Sequence, residues 1–473
     1  MADGPIAKAI AHYLTLQRRR FHVPGHAGRL LFESPGLSEA LLAADLSEVE
    51  GLDVLSQPEG CIATSQALAA SIYGVGHSFY LINGASVGLQ AAMLATLRPG
   101  DDVLIARNAH RSLISGLILT GANPIWLWPE RLSEWGLWAA LTSQTVRSAL
   151  EAHPNARLVA MTSPTYEGIG SDIDAIAEIC RAYGALTLVD EAHGALWPFS
   201  EDLPPTAAHA RVDVVVHSLH KSAGSLTQTA IAHLPHGSGV SPSQFQQALN
   251  ALQTTSPSYP LLASAEAAVL HLASPAGRAQ LQNCIDCATR VRHELQRELR
   301  HLRLFSPKPP SDAIASADLT ALYLAIPDVA GDEWGVRLEQ ECGIAFEATT
   351  SAGALYKRSL GLLESDDTAL IRALCSEDQR LRSLGACCAP ELAEGDARRL
   401  DSNQWRSANV AMTPRDAFFS AGERVCADDA VGRIAQETLV HCPPGIPITV
   451  PGERISSALR EALPDTVTVV REP

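Results

Sequence analysis

From residue 79 onward, short apolar runs alternate with longer stretches of helical periodicity. Residues 79–82, 102–106, 124–127, 158–161, 185–189 and 212–216 read as strands. They are brief and rich in aliphatic residues, as expected for strands covered on both faces. Between them the spacing predicts helices running to Leu97 and Thr120 and over 143–152 and 173–183. Arg98-Pro99-Gly100 stops the first of these, and Gly184 caps the last. Strands alternating with helices imply right-handed crossovers and a mostly parallel sheet, taken here as seven-stranded, with helices on both faces. An amphipathic helix over 6–16 precedes this core. Ser306-Pro307-Lys308-Pro309-Pro310 then breaks the pattern. Beyond it come a strand over 319–326, a helix over 332–342 capped by Gly343, a strand over 344–348 and further helices. Residues 389–409 are polar and read as a second linker. The expected division is an N-terminal segment (1–60), a large α/β domain (61–306), a small α+β domain (311–388) and a C-terminal α+β domain (410–473).

Composition narrows the class. A chain of 473 residues with 46% hydrophobic and 19% charged residues is that of an ordinary globular protein. Its net charge of −16 argues against a nucleic-acid partner and suits a cationic small molecule. Met1–Pro5 shows no basic start followed by an apolar stretch, and no apolar run approaches the ~20 residues that span a bilayer. The expectation is a cytoplasmic protein without a membrane partner. Ten cysteines in such a chain read as reduced thiols. Cys284 and Cys287 form a C-x-x-C inside a helical pattern over 278–299, with no second pair at zinc spacing, so no metal is expected.

The chemistry gathers where the strands end, as it does at the carboxyl edge of parallel sheets. Ser86, His110, Ser163, Asp190, His193, Ser218, His220 and Lys221 all follow predicted strands. A lysine emerging from a buried strand into a partly desolvated pocket loses hydration of its ammonium, which favours the nucleophilic amine. Gly84-Ala85-Ser86-Val87-Gly88 matches G-x-S-x-G between strand and helix, and Asp190 and His193 follow in the order a hydrolase triad requires. The other reading makes the same segment an anion cradle of N–H groups and a hydroxyl at a helix N-terminus. That reading also employs Lys221 for an aldehyde, Asp190 for a protonated ring nitrogen and His110 for an aromatic face. Together these describe pyridoxal 5'-phosphate.

The ordered motifs resemble the ornithine/lysine/arginine decarboxylases, aspartate-aminotransferase-like (fold-type I) pyridoxal-phosphate enzymes. The resemblance covers FHVPGHAG at 21–28, GLD at 51–53, the segment at 83–88, RNAHRS at 107–112, TSPTYEG at 162–168, DEAHG at 190–194 and SLHKSAGSLTQ at 218–228. It continues through LQTTSPSY at 252–259, GRI at 432–434 and PPGIPITVPGE at 443–453, the last belonging to the family's C-terminal domain. It implies that Lys221 forms the Schiff base, Asp190 pairs with the ring nitrogen, His110 stacks on the ring and His193 lies near the imine. Ala85, Ser86 and Val87, with Ser218 and His220, would hold the phosphate, and Ser163 would join the cofactor site. The segment around Ser256 would reach a neighbouring subunit's site, giving a homodimer or a dimer-based tetramer. The implied reaction is decarboxylation of lysine or arginine, less so ornithine, to an amine used in polyamine biosynthesis. Glu347 is the candidate carboxylate for the substrate's cationic end, with Glu167 and Glu437 as competitors. An aminotransferase or aldolase shares everything except the C-terminal motifs, and a serine hydrolase rests on Gly84–Gly88 alone. Two departures stand out: Ala27 replaces the lysine of the family's first loop, and the chain reads as a short form without an N-terminal wing domain.

Overall fold

A computed structural model describes residues 4–20, 23–24, 26–31, 38–309, 311, 313–326, 331–350, 353–383, 409–441 and 445–471. The central sheet is formed by β1 (His77–Leu81), β2 (Asp102–Ala106), β3 (Asn123–Leu127), β4 (Leu158–Thr162), β5 (Leu186–Asp190), β6 (Val214–His217) and β7 (Ala230–Leu234). It has seven strands in the order β1-β7-β6-β5-β4-β2-β3. The β2–β3, β2–β4 and β5–β6 pairs are parallel, whereas β7 runs antiparallel to both β1 and β6. The expected, mostly parallel α/β sheet is present. Its seventh strand, β7, is the one the sequence pattern does not locate, because His233 interrupts the apolar run. That imidazole is fully buried and bonds Ser78 Oγ at 2.8 Å across the β1–β7 ladder. Residues 389–408 of the expected second linker lie outside the described residues. Among the described residues no helix is long and apolar enough to cross a membrane.

The chain forms two compact units. The first comprises 1–96, 187–201 and 205–281. Its opening helix, Pro5–Thr15, has proline at the first position, and the N–H groups of Ile6 and Ala7 both donate to the buried Glu266 carboxylate at 3.0 Å. The carboxylate thus satisfies two of the donors that a helix start leaves unpaired.

Asp53 has a similar office. Its Oδ2 accepts the N–H groups of Gly60, Ile62 and Ala63, and its Oδ1 those of Val54 and Glu59. Tyr259 fastens the same turn, donating its hydroxyl to the Asp53 carbonyl and accepting from the Asp53 N–H. Burial pushes the Asp53 carboxyl up, but these N–H groups outweigh it and hold the group below its ordinary 3.8. An acid depressed in the folded state stabilises above its unfolded pKa, and that contribution is lost as pH falls through the folded value. Asp53→Asn is therefore expected to lower the melting midpoint most near neutrality. The gap from wild type should close as the solution becomes more acid than the ordinary carboxylate range. Thermal melts across that range check this, and a gap that widens on acidification contradicts it.

The second unit comprises 97–186, 202–204 and 282–473. Beyond its share of the central sheet it holds a four-stranded sheet in the order Arg303–Leu304, Ala321–Ala325, Ala354–Lys357, Ala348–Thr349. Leu322, Leu324, Trp334, Leu338, Leu370 and Leu374 form a core between this sheet and the helices Gly331–Cys342 and Glu364–Ser383. The strand expected over 344–348 forms differently. Among the described residues only Ala348, opposite Leu355, and Thr349, opposite Ala354, pair as strand, while Ile344 and Phe346 pack against the core. A separate core of Ala430, Ala435, Ile448, Ile455, Val467 and Val469 lies among the C-terminal strand pairs, of which Gly422–Cys426 with Thr466–Val470 is the longest among the described residues.

Candidate active site

In the first unit the ends of β5 and β6 lie side by side, Asp190 opposite Val216. Asp190 is 3% exposed, and its Oδ1 accepts the Ala192 N–H at 3.1 Å; no hydrogen bond to Oδ2 is present among the described residues. His193 follows on the turn, and its Nε2 lies 2.9 Å from Lys221 Nζ. When Lys221 is protonated it has no lone pair, so it donates and Nε2 accepts. Lys221 is carried by the one-turn helix Leu219–Ser222, whose buried residue is Leu219. The expected burial of Lys221 is not found: in the single chain its side chain is exposed. A helix that anchors itself through Leu219 turns the residue two positions on away from the core.

Beside it, Ser218 is fully buried and its Oγ lies 3.2 Å from His220 Nδ1. The same Nδ1 lies 3.0 Å from the Thr229 carbonyl, which can only accept. Nδ1 therefore carries the proton and Nε2 is left for other contacts.

Ala85, Ser86 and Val87 occupy the first turn of the helix Gly84–Thr96. Gly84 adopts φ +78 and donates its N–H to the Gln228 carbonyl at 2.8 Å; Gln228 itself has φ +77, a strained value for a residue with a side chain. A Cβ at Gly88 would stand 2.5 Å from Leu81 Cδ1 and 3.2 Å from Val216 Cγ1, so this glycine lets the helix close onto β1 and β6. The N–H groups of Ala85 and Ser86 have no acceptor among the described residues. A nucleophile elbow places its serine on the strained turn. Here the positive φ belongs to Gly84, Ser86 sits within the helix, and His193 contacts Lys221, so the hydrolase geometry is absent.

Ser256, in the same unit, is exposed, with its N–H donating to Thr254 Oγ1 at 3.2 Å. Thr254 N–H in turn donates to Asn83 Oδ1, which ties this segment to the residue just before the Gly84 turn.

The remaining candidates belong to the second unit. His110 caps the helix Arg111–Thr120, its Nδ1 accepting from Ser112 N at 3.2 Å and meeting Ser112 Oγ at 2.8 Å. Ser163 is buried and accepts the Ser171 N–H at 3.1 Å. Glu347 is exposed and accepts the Tyr166 hydroxyl at 2.7 Å, and Lys357 Nζ stands 4.9 Å over the Tyr166 ring. Glu167 is half-buried and accepts from Thr165 Oγ1 at 3.0 Å. Burial pushes its carboxyl up against its own N–H, the Thr165 hydroxyl and the charges of Lys357 and Arg131. Glu437 accepts the Thr468 N–H at 2.7 Å and so is engaged in the C-terminal fold.

The RNAHRS and PPGIPITVPGE motifs meet. Arg107 donates to the Pro447 and Ile448 carbonyls at 2.7 and 3.0 Å and pairs with Glu453 at 3.1 Å. Arg111 N–H reaches the Gly445 carbonyl at 3.1 Å, so these bonds bracket His110. Arg107 also lies over the Trp126 and Trp128 rings. The pair is 2% and 5% exposed, and removing one partner of a buried pair strands the other charge. Glu453→Ala should cost ~3–5 kcal/mol in chemical denaturation; a loss under ~1 kcal/mol, the size of an exposed pair, contradicts this.

The descriptions "Orn/Lys/Arg decarboxylase, major domain" and "Orn/Lys/Arg decarboxylase, C-terminal domain" match residues 4–334 and 399–464. An arginine decarboxylase of Bacillus anthracis is 33% identical over 463 residues, 96% of this chain and 91% of that protein. The chain belongs to the Orn/Lys/Arg decarboxylase family. Its fold is also that of solved members. Lysine decarboxylase A from Pseudomonas aeruginosa superposes with a TM-score of 0.82 at 23% identity, covering 97% of this chain and 75% of that one. The Francisella novicida lysine decarboxylase gives 0.81 at 19%, covering 99% and 81%. The fold is thus the aspartate-aminotransferase-like one expected for an Orn/Lys/Arg decarboxylase.

Sequence reading passed over several residues that shape this region. Arg107 and Gln228 lie inside motifs, yet they act through contacts to distant segments. Glu191 and His217 flank Asp190 and Ser218, and their pairing has no local signal.

Proposed function

We propose that this protein decarboxylates a cationic α-amino acid at its α-carboxylate, using pyridoxal 5'-phosphate bound where β5 and β6 end. The observation that carries the proposal is the Lys221 amine 2.9 Å from His193 Nε2, on the turn that follows the buried Asp190. The residues suit that cofactor. A buried carboxylate with Oδ2 uncommitted fits a protonated ring nitrogen, an exposed amine fits an aldehyde, and unpaired N–H groups at Ala85 and Ser86 fit a phosphate. When bound, the cofactor supplies an electron sink for the pair left at Cα as CO2 departs.

Each residue then has a task. Lys221 would hold the aldehyde carbon and give it up to the substrate amine. Asp190 would keep the proton on the ring nitrogen. His193 Nε2, hydrogen-bonded to Lys221 Nζ, would exchange protons with that amine, and either group can protonate Cα from its side. Ser86, Val87, Ser218 and His220 would orient the phosphate, and Ser163 and His110 are proposed as further cofactor residues, His110 for the ring face. Glu347, held by Tyr166, is the proposed carboxylate for the substrate's far cation. The exposed Ser256 segment is proposed to complete a partner's site in a homodimer or dimer-based tetramer, and a cytoplasmic location is proposed with it.

Arginine is the leading substrate, because the relative 33% identical to this chain carries that name; lysine comes next and ornithine last. The test is CO2 release and amine formation by the holoenzyme on each of the three. Amine and CO2 in equal amounts from at least one supports the proposal. A keto acid without CO2 would instead make the protein an aminotransferase.

A further inference from the structure

Asp190 and Ser218 have neighbours that the proposed chemistry leaves idle. Glu191 follows Asp190, His217 precedes Ser218, and both are 0% exposed. Glu191 Oε2 accepts from His217 Nε2 at 2.5 Å and from the Thr206 hydroxyl at 2.5 Å, while Oε1 accepts the Ala207 N–H at 2.8 Å. The backbone repeats the tie, since Glu191 N–H donates to the Val216 carbonyl at 3.0 Å and carries the β5–β6 ladder one residue past β5. Gly194 belongs to the same construction. Its N–H donates to the Glu191 carbonyl at 2.9 Å, and a Cβ there would stand 2.6 Å from Glu191 Cγ. The turn bearing His193 can therefore fold over Glu191 only with glycine at 194.

On its other side His217 stacks against Tyr73, at 5.7 Å between centroids, and meets His233 at 5.1 Å. Tyr73 OH, His217 Nδ1 and His233 Nε2 are buried without hydrogen-bond partners among the described residues. Unpaired buried polar atoms are costly, and a buried charged or polar pair seldom adds net stability over an apolar one. A pair retained under those terms is better explained by the spacing it imposes.

We infer that Glu191 and His217 are positioning residues that set the separation between the Asp190–His193 turn and the Ser218–Lys221 turn. The inference rests on the roles proposed above for Asp190, His193 and Lys221. The pair joins the two strand ends just behind those groups, so a shift in it alters how the Lys221 amine stands to His193 and Asp190. Misplacement by about an ångström costs up to ~10²-fold in rate.

The test uses holoenzyme carrying Glu191→Gln, His217→Asn or both, with kcat, KM and the cofactor's absorption band measured against pH. The expected result is a ~10- to 100-fold fall in kcat with KM nearly unchanged. The band should also move in its pH dependence, and the double variant should be no worse than the more severe single one. Should Glu191→Gln fail to fold, Thr206→Val removes one donor while keeping the side-chain shape, and a smaller fall in kcat at constant KM is expected. Variants that melt earlier but keep wild-type kcat and band would overturn the inference, as would additive losses in the double variant. Borohydride reduction of the wild type separates the two levels. Absence of the cofactor from Lys221 removes the functional proposal itself, whereas labelled Lys221 with kinetically silent variants removes the positioning role alone.

Discussion

Lys221→Ala should lose CO2 release by at least ~10³-fold, the scale that positioned nucleophilic and proton-transfer groups supply. The loss has two sources, since the same amine holds the aldehyde carbon and shares a hydrogen bond with His193 Nε2. Folding should be untouched. The side chain is exposed, and exposed substitutions away from special features usually shift stability by no more than ~0.5 kcal/mol. Lys221→Arg is the sharper variant, because it keeps the positive charge but cannot form an imine under ordinary conditions. Both variants are expected to be inactive with wild-type melting midpoints. Turnover near the wild-type rate in either would refute the role given to this lysine.

The second large effect is at Asp190. Asp190→Asn preserves the shape of the side chain and an oxygen for the Ala192 N–H, now bonded at 3.1 Å, but removes the charge proposed to pair with the ring nitrogen. A neutral ring is a poorer electron sink, so kcat should fall by ~10²- to 10³-fold, as for loss of one preorganised electrostatic partner. The cofactor should still bind through Lys221 and the helix start at Ala85 and Ser86. Asp190→Ala should lose as much rate and some cofactor besides, since it also strands the Ala192 N–H in a buried place. Steady-state kinetics at saturating cofactor reads this directly, and an unchanged kcat in Asp190→Asn contradicts it.

The alternation of β1 to β6 with helices is written in the spacing of apolar residues, so the sheet and the row of polar groups at its edge were legible. Local pattern alone could not supply contacts made by the far side of those strands. Nothing near Glu191 points to His217 or Thr206, because the partners are 26 and 15 residues away and meet only when β5 lies beside β6. Lys221 shows the opposite failure. A lysine after a buried strand reads as buried, yet its exposure is decided by Leu219 anchoring a single helical turn. Glu347 was expected at a strand end and instead precedes one, because Gly343 ends the helix and, among the described residues, the paired strand begins at Ala348. In each case the side-chain type was readable, and its surroundings depended on distant chain.

The most direct measurement is borohydride reduction of the purified holoprotein followed by mass mapping of its peptides. The account predicts loss of the cofactor's visible band and a reduced pyridoxyl-phosphate adduct on the peptide containing Lys221. An adduct on another lysine, or no adduct from a protein that still decarboxylates its substrate, contradicts it.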